Sequence, residues 1–127
     1  TMAVTKTTTI TSLAGTLVID FQANATSEDN VTGNSSGAFY LIDIDNTANA
    51  STFAYVKIRD ASSATPNHAS NGIPTWQFTA PPGTKSSYAF PEGQDYAAGL
   101  SMWCTSNPAH QNVTSPGAPV IVKLVST

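Results

Sequence analysis

The stretch Ala38-Phe39-Tyr40-Leu41-Ile42-Asp43-Ile44-Asp45 and, after a gap at 46–52, Phe53-Ala54-Tyr55-Val56-Lys57-Ile58-Arg59-Asp60 decide the fold class. Aromatic and β-branched residues dominate both, and the side chains alternate with the period of a strand that buries one face. In the first segment alternation makes Tyr40, Ile42 and Ile44 the core face and puts Phe39, Leu41, Asp43 and Asp45 on the other. In the second, Ala54, Val56 and Ile58 point one way and Phe53, Tyr55, Lys57 and Arg59 the other. If 46–52 closes a hairpin, Asp45 opposes Phe53. The acids and bases then become cross-strand neighbours on one outward face, contributing roughly 0.2–1 kcal/mol per pair.

Outward from this pair, strand character recurs at 5–13, 17–23, 76–80, 86–90, 100–105 and 119–125, separated by Gly, Pro and Asn turn signals. No amphipathic helix is readable. The expectation is an all-β fold, an antiparallel β-sandwich of seven or eight strands, jelly-roll or Ig-like. Its predicted core includes Ile19, Phe21, Ile42, Ile44, Val56, Ile58, Trp76, Phe78, Leu100, Val122 and Leu124. Residues 24–37, 61–74 and 106–119 read as loops, the first as a mobile one because it is poor in apolar groups. No fixed-period repeat is present.

The chain has 127 residues, one domain's worth, with 40% hydrophobic and only 10% charged residues. A core of that size needs neither metal nor disulfide to fold, so stability implies no cofactor. The net charge of −3, with no basic run, disfavours nucleic acid as a partner. No apolar stretch approaches the ~20 residues of a membrane span and the first residues lack signal-peptide character, so a soluble protein with no membrane partner is expected. Cys104 is the one cysteine, which excludes an internal disulfide.

The chemical inventory is sparse. Asp43, Asp45 and Asn46 are an oxygen-rich set of the kind calcium prefers, but pairing with Lys57 and Arg59 accounts for the acids. No spacing among Asp43, Asp45, Asp60, Glu92 and Asp95 selects a glycosidase pair. His68 and His110 fall in loops. A Cys104, His110 and Asp95 triad can be written, but alternation groups Cys104 with Leu100 and Met102 as a small buried hydrophobe. No nucleophile elbow, phosphate loop or dinucleotide fingerprint occurs, so no enzymatic activity is expected. Five Asn-x-Ser/Thr sequons, at Asn24, Asn30, Asn34, Asn49 and Asn112, are read as compositional.

Trp76, Trp103, Tyr55, Tyr88 and Tyr96 offer material for a sugar-stacking platform, although Trp76 alternates with Phe78 as core. Trp103 is out of phase with Leu100, Met102 and Cys104 and so points outward, where a large aromatic calls for a cover. A subunit contact is the favoured cover over a ligand. That makes Trp103 and the Tyr55 face interface candidates.

Leu41-Ile42-Asp43-Ile44-Asp45-Asn46-Thr47-Ala48-Asn49, Tyr55-Val56-Lys57-Ile58-Arg59-Asp60, Ala80-Pro81-Pro82-Gly83, Phe90-Pro91-Glu92-Gly93 and Ala98-Gly99-Leu100-Ser101 together set a motif order. Over 38–125 that order resembles a small β-sandwich of structural proteins of tailed bacteriophages, particularly phages of cyanobacteria and marine hosts. The resemblance implies a non-enzymatic virion component, assembled in the host cytoplasm: a capsid decoration or cement protein, or a tail or fibre module. Its partners would be itself, as a homo-oligomer with a trimer suited to capsid three-fold sites, and a major capsid or tail protein. A carbohydrate-binding or host-adhesion module is the alternative that the same composition suits.

The Thr-rich extension 1–14 has no counterpart in that pattern and is set apart from the sandwich at 15–127. Thr7, Thr9 and Ile10 give it β propensity with little to bury. Either it adds to the edge of a neighbouring subunit or of a capsid protein, or it is the first strand of its own sheet; Gly15 can hinge either arrangement.

Overall fold

The computed structural model describes the backbone of residues 4–8 and residues 15–127 in full. The described residues form eight strands: β1 (Val4–Thr8), β2 (Thr16–Ala23), β3 (Gly37–Asp45), β4 (Ala54–Asp60), β5 (Trp76–Ala80), β6 (Lys85–Tyr96), β7 (Leu100–Thr105) and β8 (Val120–Ser126). They make two antiparallel sheets, a five-stranded one ordered β1-β2-β8-β3-β6 and a three-stranded one ordered β5-β4-β7. The fold is the expected all-β sandwich. No helix long and apolar enough to cross a membrane is present among the described residues.

Residues 24–31 were expected to be a mobile loop, yet they run antiparallel along the other edge of β7. The Cys104 amide donates to the Asn24 carbonyl (2.7 Å), Glu28 and Met102 exchange both bonds (2.8 and 3.0 Å), and the Val31 amide donates to Leu100 (2.8 Å). Backbone pairing, which needs no apolar side chain, orders this segment. With it counted as a unit and β1 set aside, the first unit pairs with the last (β2 with β8) and the second with the next to last (24–31 with β7). The third pairs with the third from last (β3 with β6), and the middle two with each other (β4 with β5). That is the rolled-up hairpin of a jelly roll. An Ig-like sandwich separates its first and last strands into different sheets, whereas here β2 and β8 are neighbours.

The core lies between the sheets, with Val18, Ile42, Ile44, Val122 and Leu124 facing Val56, Ile58, Phe78, Leu100 and Met102. Two phases differ from the alternation reading. In β2 the inward residues are Val18 and Asp20, because their register partners Leu124 and Val122 point inward; Ile19 is half-buried and Phe21 is 48% exposed. In β3 one extra residue relative to β8 between Phe39 and Leu41 makes a bulge. Phe39 therefore turns into the core, edge-on to Trp76 (5.1 Å) and Phe90 (5.3 Å), and Tyr40 turns out. Gly93, with φ +83°, lies so close to the Tyr40 ring that a Cβ there would sit 2.8 Å from Cε1. Trp76 packs against the core from a half-buried position.

The β3–β4 connection passes from one sheet to the other, so the expected hairpin is absent. Asp43 and Asp45 pair in register with Lys123 of β8 and Lys85 of β6, not with Lys57 and Arg59. Two buried asparagines fix this crossover. The Asn46 amide donates to the carbonyls of Thr52 (2.8 Å), Ala80 (3.2 Å) and Pro81 (3.1 Å). Asn49 donates to Asn46 Oδ1 and Ala118 O, and its own Oδ1 accepts from the Ala118 amide.

At the N-terminus β1 pairs with β2 from Val4↔Asp20 to Thr8↔Thr16, with Thr7 opposite Leu17. In the isolated chain the segment is thus the edge strand of its own sheet. The expected strand 5–13 extends past it; 9–14, with Thr9 and Ile10, lies outside the described residues.

Candidate functional site

The two sheets present very different outward faces. Register partners share a face, so Lys57, Trp103, Arg59 and Ser101 all lie on the outside of the three-stranded sheet, with Tyr55 and Thr105. Alternation predicts exposure there. Instead Lys57, Ser101 and Thr105 are fully buried and Trp103 is 1% exposed. Loop carbonyls explain the cover: Lys57 Nζ donates to Ala109 O (2.6 Å), Thr105 Oγ1 to Asn107 O (2.7 Å), Arg59 Nη1 to Ile73 O (2.7 Å) and Ser101 Oγ to Ala61 O (2.9 Å). Four outward donors thus tie the loops 61–75 and 106–119 down over the sheet. The expected role of Trp103 as a subunit contact is therefore corrected, because the chain's own loops supply its cover. Its Nε1 and the Arg59 Nε are buried without an acceptor.

Burial also shapes the chemistry of this sheet. Lys57 has no carboxylate partner within 4.0 Å, and desolvation lowers the pKa of its ammonium group. Cys104 points into the sandwich, where burial pushes its thiol up to about 12. His110 is exposed on the 106–119 loop and Asp95 is exposed on β6 of the other sheet, so these residues do not form a triad. His68 is exposed in its loop, its Nδ1 accepting from the amides of Ser70 (3.2 Å) and Asn71 (3.0 Å). Asn46 is buried while Asp43 and Asp45 turn outward, so the calcium reading loses its third ligand. No group of three His, Cys, Asp or Glu side chains that could hold a metal exists among the described residues. The Asn49 sequon is buried and fully bonded.

On the five-stranded sheet the described outward side chains stay partly or fully open to solvent. Three cross-strand rows cross this face: Leu17, Val125, Leu41 and Ala89; Ile19, Lys123, Asp43 and Ser87; then Ile121, Asp45 and Lys85, with Phe21 in the same hollow as Ile121 at the β2 irregularity between Asp20 and Ala23. Every one of these is half-buried or exposed, Phe21 at 48% and the Lys85 side chain at 68%. Phe21, Ile121, Asp43, Asp45, Lys85 and Lys123 line a shallow hollow of about 140 Å³. Asp45 is held by the Thr47 hydroxyl (2.6 Å) and amide (3.0 Å) and stands 3.9 Å from Lys85; these contacts, the Thr47 hydroxyl foremost, lower its pKa. The Ser87 hydroxyl donates to Asp43.

No protein-family model, curated protein or solved structure matches the chain.

The open sheet offers apolar rows crossed by a charged one. A second exposed feature is Tyr55, half-buried, with its ring stacked on Phe53 (5.9 Å between centroids, 15° between planes), itself 43% exposed. Residue-by-residue alternation missed the open face because it assigned Ile19 and Phe21 to the core. A finer signal was present in β8, where Val120, Val122 and Leu124 alternate with Ile121, Lys123 and Val125. Apolar residues in both phases mark a strand whose two faces are both occupied.

Proposed function

We propose that this protein is a non-enzymatic structural subunit that works by protein–protein binding, namely a capsid decoration or cement protein of a tailed-phage virion. The observation that carries the reading is the open five-stranded sheet face, with Phe21 exposed and Ile19 and Ile121 half-buried beside the cross-strand neighbours Asp43 and Lys123, and Asp45 and Lys85. Contiguous exposed apolar surface marks an interaction site. Two further points support the assignment to a virion. The motif order over 38–125 resembles tailed-phage structural proteins, and jelly rolls recur in viral capsid domains. The fold alone does not choose, since lectin domains share it.

The test is to mix the purified protein with heads and with tails of tailed phages of cyanobacteria and to separate bound from free by sedimentation. Saturable binding to heads is expected. Binding to neither particle overturns the reading, and binding to tails alone moves the protein to a tail module. A glycan array examines the second reading, a carbohydrate-binding module, which the exposed Phe53–Tyr55 stack favours because sugar rings pack on aromatic faces.

A further inference from the structure

We infer that the open face of the five-stranded sheet is a self-complementary contact that pairs this chain with a second copy of itself, face to face about a two-fold axis running along the strands between β8 and β3. The inference rests on the reading of the protein as an assembling subunit and names the first contact of that assembly.

Strand register makes the face match itself. A two-fold axis along the strands keeps each row at its own height and exchanges strands across the axis, so β8 of one copy covers β3 of the other and β2 covers β6. In the middle row Lys123 then lies over Asp43 of the second copy, and the symmetry repeats the pair. In the first row Val125 lies over Leu41, apolar on apolar. In the third row Phe21 meets Lys85, whose stem and ammonium group suit an aromatic face, and Ile121 covers Asp45, whose carboxylate keeps its Thr47 bonds. An isologous contact needs such self-matching, because residue i must suit residue j and j must suit i. Charge complementarity therefore names the occupant: within the face acids and bases balance, so another copy is matched without an external counter-charge. Stacked sheets pack about 10 Å apart with strands within about 30° of alignment, which this arrangement satisfies.

The four strands β2, β8, β3 and β6 span about 19 Å. That footprint falls short of the roughly 800 Å² per partner of a standard interface, so the pairing is concentration-dependent. Repetition on a particle converts such weak contacts into avidity.

Sedimentation velocity across a concentration series is the experiment. The wild type is expected to pass from monomer to dimer. Lys123→Asp and Asp43→Lys should each raise the dissociation constant about tenfold or more, because each sets like charges opposite one another twice. Mixed in equal amounts, the two variants should form a heterodimer, since Asp at 123 of one then meets Lys at 43 of the other, and Asp43 of the first meets Lys123 of the second. Phe21→Ser, at an exposed position, should weaken self-association while the circular dichroism of the fold is retained. A wild type that stays monomeric to about 1 mM, a dimer unaffected by the charge variants, or a mixture that fails to pair overturns the inference. Head binding by a strictly monomeric protein would overturn it alone and leave the proposed function standing; a dimer that binds no phage particle does the reverse.

Discussion

The outer face of the three-stranded sheet and that of the five-stranded sheet differ in what lies over them, although both carry aromatic, apolar and charged side chains. On the first, Lys57, Arg59, Ser101 and Thr105 each donate to a loop carbonyl, and Trp103 is sealed beneath. On the second, Asp43 and Lys123, and Asp45 and Lys85, are register neighbours, and these side chains stay at least partly open to solvent. The lesson is that outward donors bonded to loop carbonyls go with a face covered by its own chain, whereas on the open face the charged side chains lie beside one another, Asp45 and Lys85 3.9 Å apart. The covered face serves stability and the open one is available for partners.

The largest test of that contrast is Trp103→Ala. Removing an indole that is 1% exposed leaves a cavity under the loops, and a loss of about 3–5 kcal/mol in urea unfolding is expected. A loss below about 1 kcal/mol would return Trp103 to the surface and dissolve the distinction between the faces.

Next is Gly93→Ala, which probes the bulged end of the open sheet. The φ of +83° is strained for alanine and the new Cβ would press on the Tyr40 ring, so about 1–3 kcal/mol of destabilisation is expected by thermal or chemical unfolding. If the stability does not change, the Tyr40–Gly93 approach is wrong, and with it the outward turn of Tyr40.

Lys57→Met sharpens the comparison through pH. Desolvation lowers the Lys57 pKa from the ordinary 10.5, so the folded state releases this proton before the unfolded state does. The unfolded chain thus holds more protons in that window, and stability rises with pH from the folded pKa up to 10.5. At neutral pH the buried charge is a full cost. Replacing it with an apolar side chain of similar length is expected to be neutral or stabilising by about 1 kcal/mol and to remove the alkaline rise. Urea midpoints of wild type and variant at pH 7 and pH 9.5–10 measure both effects; a variant with a steeper alkaline rise than wild type would contradict the burial of Lys57.

These particulars show what was legible in the sequence. Period-two alternation placed β3, β4, β5 and β7 to within about a residue and sorted Val56, Ile58, Leu100, Met102 and Cys104 correctly, because the side chains that face the other sheet recur with period two. β6 proved longer than expected, as Gln94 and Asp95, which lack strand propensity, are held with Tyr96 by the ladder to Phe39, Ala38 and Gly37 beyond an irregularity at 90–93. Sheet membership was not readable, since a seven-residue connection serves equally for a hairpin and for a crossover; Asn46 and Asn49, whose side chains decide it, are ordinary turn residues by composition. A single inserted residue reversed the phase at Tyr40, and cross-strand register set it at Ile19 and Phe21. The open face was hidden by the same error. Trp103 was located on the right side of its strand, but its cover comes from loops distant in sequence, which local pattern does not record.

The smallest effect lies on the open face and separates two contributions to one carboxylate. Asp45 is half-buried, and the first cause of its lowered pKa is the Thr47 hydroxyl, then the Thr47 amide, with Lys85 and Lys123 behind. Lys85→Ala removes an ion pair at 3.9 Å whose lysine is 68% exposed, and solvent screening holds its contribution to at most about 0.5 kcal/mol. Thr47→Ala removes the stronger bond. An acid whose folded pKa is depressed contributes stability above its ordinary value of 3.8 and loses it as pH falls through the folded value. Stability measured from pH 6 down to pH 2 should therefore fall less in Thr47→Ala than in Lys85→Ala, with both slopes shallower than that of the wild type. Salt should erase the difference between wild type and Lys85→Ala while leaving the Thr47 effect, because a hydrogen bond within one turn is not screened as a surface ion pair is. If Lys85→Ala proves the costlier change, the charges on the open face are held more rigidly than their exposure indicates, and that face resembles the covered one after all.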